Sequence, residues 1–105
     1  MVPVSRTVGA DRIVDEFVLR FTHTTPVDWM LPAVAPTGRA VAVAMVAIVQ
    51  FQGDKLAHEH IYWDQASVLV QIGLLDAAGL PVSGAEQAAK VIDKSLASNA
   101  LMRNG

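Results

Sequence analysis

Apolar and polar residues alternate with the two-residue period of extended chain through the front of this sequence, then take up a helical period towards its end. Val2–Val8 sets Val2, Val4 and Val8 against Ser5 and Thr7 and reads as a short strand, with Gly9-Ala10-Asp11 as the turn after it. Over residues 12–24 the odd positions are Ile13, Asp15, Phe17, Leu19, Phe21 and His23. The even positions are Arg12, Val14, Glu16, Val18, Arg20 and Thr22. The odd set is the more apolar, as a strand with one buried face requires. Ala40–Gln52 is valine-rich and apolar on both faces, the pattern of a central strand covered on both sides. Gly53-Asp54 is a tight reversal, so Lys55–Trp63 should return beside it as the second arm of a hairpin.

Residues 25–39 contain Pro26, Pro32, Pro36 and Gly38 and should form a loop. Trp29, Met30 and Leu31 make that loop apolar, so it should fold down as a lid or meet a partner, with Trp29 as a plug or lid. Asp64 ends the last strand and can cap a helix over residues 65–75. A second helix should begin at Ser83, because Ser83 and Glu86 have the spacing of a capping box. Ala85, Ala88, Ala89, Ile92 and Leu96 give that helix one apolar face, and residues 98–105 should fray. The pattern predicts one α+β domain over residues 1–105, an antiparallel sheet of about four strands followed by C-terminal helices.

Composition narrows the function classes. Hydrophobic residues make up 52% of the chain and charged residues 17%, too apolar for a disordered segment. The net charge of -2 and the dispersal of Arg6, Arg12, Arg20, Arg39, Lys55, Lys90, Lys94 and Arg103 argue against a nucleic-acid partner. The longest apolar run, residues 40–49, is about half of the ~20 residues a membrane-spanning helix needs. With no basic-then-apolar start, a soluble cytoplasmic protein without a membrane partner is expected. The absence of cysteine removes disulfides, thiolate metal sites and cysteine nucleophiles. No glycine-rich phosphate loop or Gly-x-Ser-x-Gly elbow is present.

The chemistry concentrates in residues 58–65. Strand alternation puts His58, His60, Tyr62 and Asp64 on one side, and Glu59, Ile61 and Trp63 on the other. Two imidazoles, a phenol and a carboxylate on one strand face suit either a solvated surface or the polar strip of a pocket. Asp64 can serve as a helix cap or as an acid/base group, and a capping carboxylate makes the poorer acid. Asp15, on the apolar face of its strand, needs a partner or a raised pKa and is a second acid/base candidate. His23 reads as a strand-end residue. A His-x-His pair on a strand spans about 7 Å and can chelate a metal, with His23, Asp64 or Glu16 as the third ligand. No second spaced ligand pair supports such a site.

The run Gly53-Asp54-Lys55-Leu56-Ala57-His58-Glu59-His60-Ile61-Tyr62-Trp63-Asp64-Gln65 resembles the last hairpin of SnoaL-like domains of the nuclear-transport-factor-2-like superfamily. There a turn of Asp/Asn-Gly-Lys-Ile type leads into a strand that ends in an aromatic pair and an aspartate; the turn order is reversed here. Val68-Leu69-Val70-Gln71-Ile72-Gly73-Leu74-Leu75 resembles the family's Leu-x-Gln-Leu-Gly tail. The resemblance implies a cone-shaped fold, a bent sheet whose concave face holds a small hydrophobic or carbonyl-bearing molecule. It implies polyketide-cyclase-like, isomerase-like or hydrolase-like proton transfer without a cofactor. Asp64 would then be the acid/base, His58 or His60 would orient it, and Tyr62 would donate to an oxyanion. Asp15, Phe17, Trp29 and Trp63 would line the pocket. The N-terminal helices of the family have no counterpart here, which reads as a truncation. The uncovered face then calls for a second copy, hence a homodimer. A non-catalytic ligand-binding or dimerisation module is the alternative, and a His-based metal protein a third.

Overall fold

The computed structural model describes residues 1–96, so the expected frayed end at residues 98–105 lies outside the described residues. The elements run β1 (Val2–Val8), β2 (Arg12–Thr22), β3 (Ala40–Gln52), β4 (Lys55–Trp63), α1 (Gln65–Gln71) and α2 (Glu86–Ile92). The strands form one open antiparallel sheet in chain order, β1-β2-β3-β4. The α+β expectation holds, with β1, β3 and β4 where the alternation put them. β2 ends at Thr22 rather than Thr24, where the chain turns off the ladder and the Thr24 N–H bonds back to the Thr22 carbonyl at 2.8 Å.

The register sorts side chains by parity. Phe17, Met45 and Trp63 lie in line across β2, β3 and β4, and Leu19 and Phe21 lie opposite Val43 and Val41. Glu16, Val46 and Tyr62 form a second line on the opposite face, followed by Val14, Ile48 and His60. The odd-numbered face carries the core. Val41, Val43 and Met45 are buried beneath Val68 and Ile72 of α1 and beneath Met30 and Leu31 of the long loop. Each such buried side chain stabilises the fold by roughly 1.5–3 kcal/mol. The loop therefore does fold down, but the plug is Met30 and Leu31. Trp29 stays 59% exposed.

The even-numbered face is covered only in part. α2 packs on β3 and β2. It contributes the buried Ala88, while Val18 of β2, on the even face, is buried as well. Ala42, Ala44, Val46 and Ile48 remain half-buried, so β3 is covered on one face and only partly on the other, not on both as its composition suggests.

The β4 ladder stops at Met45 opposite Trp63, whereas the β2 ladder continues to Ala40 opposite Thr22. β3 thus loses its neighbour over its first residues. The side chain of Gln71 takes the place of a strand there. Its Oε1 accepts the Ala42 N–H at 2.8 Å and its Nε2 donates to the Ala42 carbonyl at 2.9 Å. Leaving such backbone groups buried and unpaired costs about 1–3 kcal/mol each.

Both helices differ from the sequence reading at one end. α1 stops at Gln71 instead of Leu75, because Gly73 takes a left-handed φ of 83° and the Leu74 and Leu75 N–H groups turn back to the Leu69 carbonyl. α2 starts at Glu86 with Ala85 as an unassisted N-cap, not at Ser83. Glu86 accepts the Gly84 N–H at 2.6 Å, and Ser83 accepts from Gln87 at 2.7 Å. The buried Ser67 hydroxyl donates to the Gly84 carbonyl at 2.6 Å, which ties this turn to α1 and draws it out of the helix.

Candidate functional site

β4 presents His58, His60 and Tyr62 on the even face in a row, as strand alternation requires. Ring centroids are 6.4 Å apart from His58 to His60 and 6.5 Å from His60 to Tyr62. All three are exposed, Tyr62 by 58%. Asp64 lies past the end of the strand and is occupied by structural bonds. One carboxylate oxygen accepts the Ser67 N–H at 3.3 Å as the cap of α1, and the other accepts from the Gln87 amide at 3.2 Å. The capping role weighed for Asp64 is thus realised in the fold.

Asp15, Phe17 and Trp63 face the other way, on the odd side of the sheet. Trp29, at the tip of the turn that Val27 closes by accepting the Met30 and Leu31 N–H groups, leans on Trp63 edge to face with centroids 6.1 Å apart. The structure therefore brings Asp15, Phe17, Trp29 and Trp63 to one face and His58, His60 and Tyr62 to the opposite one. The sheet itself lies between the two groups.

Asp15 has found the partner its position demanded. Arg6 grips it with two parallel bonds, Nε to one oxygen at 2.7 Å and Nη2 to the other at 2.9 Å. The hydrogen bond from Arg6 holds the Asp15 carboxyl below the usual carboxylate range, against a smaller opposing push from desolvation. Asp15 is thereby a carboxylate acceptor rather than a proton donor. It shares a hollow of about 280 Å³ with Phe17, Pro3, Val4, Ser5 and Arg6, beside the register shift between Pro3 and Ser5.

His23 is fully buried and closes the neck of the loop that carries Trp29. Its N–H donates to the Arg39 carbonyl at 2.8 Å, its carbonyl accepts the Gly38 N–H at 2.8 Å, and Nδ1 accepts the Thr37 N–H at 3.1 Å. Accepting at Nδ1 leaves the ring hydrogen of the neutral imidazole on Nε2, which has no partner among the described residues. Among the described residues no group of three or more His, Asp or Glu side chains is placed to hold a metal, so His23, Asp64 and Glu16 do not join His58 and His60. No described helix is long and apolar enough to cross a membrane.

Sequence reading passed over Gln71, Ser67 and the clasp at His23. The lone amide of Gln71 inside an apolar helical run was the one signal available for the first of these.

No protein-family model matches the chain, and no curated protein matches it. Among solved structures the chain is similar to AclR, a putative hydroxylase from Streptomyces galilaeus, with 24% identity and a TM-score of 0.56. The likeness covers 69% of this chain and 45% of AclR, so the matched part spans less than half of that protein. At this identity the likeness shows a related fold.

Proposed function

We propose that this chain is a small-molecule-binding domain of the SnoaL-like kind, which takes an apolar, carbonyl-bearing ligand on the odd face of its sheet without a cofactor. One observation carries the reading. Trp29, 59% exposed, stands against Trp63 on the same face as the half-buried Phe17 and the exposed Ile61. Apolar surface left in water gains roughly 25 cal/mol for each Å² that a ligand covers, and an indole offers much of it. Asp15, fixed as a carboxylate by Arg6, supplies an acceptor for a ligand hydroxyl at the edge of the same face. Bending of the sheet into a cone, and its closure by a second copy in a homodimer, belong to the same proposal. The exposure of nearly all of β4 supports that closure.

The chain's two tryptophans both stand at this place, so its tryptophan emission, excited selectively over that of Tyr62, reports on the site. Titration with 2-decalone, a fused-ring ketone that absorbs only weakly in this range, should shift the emission saturably. Trp29→Ala should abolish the response. Emission that never responds to the ketone would sink the proposal.

A second reading, proton transfer by Asp64 with His58, His60 and Tyr62, draws on the fold shared with AclR. It predicts that the protein speeds exchange of the α-hydrogens of 2-decalone in D2O, and that Asp64→Asn removes the acceleration. Binding without accelerated exchange leaves the non-catalytic reading standing alone. That is the outcome the geometry favours, because both oxygens of Asp64 are engaged in capping and helix pairing.

A further inference from the structure

The gap left where β4 stops short is a structural opening on the even face. A groove of about 510 Å³ lies there, lined by residues 20–22 of β2 and 40–42 of β3 with Gln71 and Ala85. That volume falls within the roughly 300–1,000 Å³ of small-molecule sites. The groove exists for identifiable reasons. β3 pairs with β2 here but has no β4 on its other side, and its even positions are alanines, which carry no atoms beyond Cβ to fill the space.

The walls are fixed before any ligand arrives. Gln71 is held by both Ala42 backbone groups and donates as well to the Ser67 carbonyl and hydroxyl, each at 3.2 Å. Glu86, next to Ala85, is turned onto the Gly84 N–H. The polar lining side chains that make no hydrogen bond to another described residue are those of Arg20 and Thr22. They stand two positions apart on the same strand face, with their backbones about 6.6 Å apart. Among the described residues the sole ion pair joins Arg6 to Asp15, so no described carboxylate neutralises Arg20. A guanidinium at the rim of an apolar groove offers a planar fork of donors that matches a carboxylate, and it pairs with one more strongly than a neutral donor does.

We propose that this groove is a second binding site, for a small molecule with an apolar ring body and one carboxylate. The carboxylate lies on Arg20 and accepts from Thr22. The ring rests on Ala40 and Ala42 against Ala85. The site faces away from the Trp29–Trp63 pair and does not depend on it.

The test is a titration of the ¹⁵N-labelled protein with cyclohexanecarboxylate and with its neutral amide, read from backbone amide shifts. The acid should shift Thr22, Ala40, Ala42 and Ala85 saturably, while the two indole N–H signals stay in place. Arg20→Gln should weaken the acid by about tenfold or more, and Arg20→Lys by less, since a charged hydrogen bond is worth about 1.5–3 kcal/mol. The amide should bind the wild type no better than the acid binds Arg20→Gln. Arg20 is exposed, so these variants keep the fold, which the dispersion of the same spectra verifies. Ala42→Leu, which fills the floor, should block both compounds. The proposal is overturned if the groove residues do not respond, if Arg20→Gln binds the acid as the wild type does, or if only the indole signals move.

Discussion

The two ends of β3 are built from the same kind of residue and meet different surroundings. Around Val41, Val43 and Met45 the odd side chains are buried beneath α1, Met30 and Leu31. From Ile48 to Gln52 no side chain is buried, and the partner strand β4 is exposed on both of its faces. The odd positions are no less apolar at the open end, where Val49 and Phe51 stand, although Gln50 and Gln52 alternate with them. The difference lies in what packs on the strand: one helix from after it and one loop segment from before it bury the first end, whereas the other end meets only the Asp11 carbonyl, which accepts the Phe51 N–H at 2.7 Å, and the neighbouring strands. An apolar strand states which side chains share a face, and the covering elements decide which of them leave water.

Large-to-small changes at the two ends sharpen that contrast. Met30→Ala should lower unfolding stability by about 2–5 kcal/mol, since it empties a fully enclosed position in the core. Leu56→Ala, on the exposed hairpin, should change it by no more than about 0.5 kcal/mol. Urea denaturation measures both. A large loss at Leu56 would break the comparison, because it would mean that a second copy or another segment covers the open end in solution.

Gln71→Ala should come next in size. It leaves both Ala42 backbone groups without their partner, for a cost of about 1–3 kcal/mol per group that stays dry. Protection of the Ala42 amide against hydrogen exchange should fall with it. Unchanged protection would show that water or another group serves that edge equally well.

The smallest effect belongs to Arg6 and Asp15. The Asp15 carboxyl titrates below its ordinary value in the folded chain, so the pair contributes stability above the unfolded-state value of about 3.9 and loses it as pH falls through the folded one. Arg6 is largely solvent-exposed, which keeps the contribution small. Asp15→Asn should flatten the acid limb of the stability curve measured by thermal melts between pH 2 and pH 5 (roughly the span of carboxylate titration). Superimposable acid limbs would show that the bond does not hold in solution.

Strand positions were legible because alternation is a local property, and the same alternation set His58, His60 and Tyr62 on one face. It also separated Trp63 from them, yet grouping aromatic and polar residues by chemistry joined both sets into one imagined pocket. Parity carried through the register is what divides them. The end of α1 was not legible because Gly73 acts there against a run that is otherwise apolar and helical. The capping box at Ser83 and Glu86 was misread because Ser67, elsewhere in the chain, holds Gly84 in the turn. Gln71 escaped notice for the same reason: the strand it serves lies 29 residues away.

That glutamine has a consequence for self-association. A strand that ends beside nothing is a template on which another chain can add itself, and sheets with such open margins are prone to aggregate. At the first residues of β3 the template is withdrawn, because a side-chain amide already occupies the hydrogen-bonding positions an incoming strand would need. The outer margin of β4 has no such stopper. Its defence is the irregularity where Gln50 and Phe51 pair with His58 and Leu56, leaving Ala57 out of step. Growth of the sheet by a further strand along this margin is therefore blocked at one end by chemistry and discouraged at the other by shape.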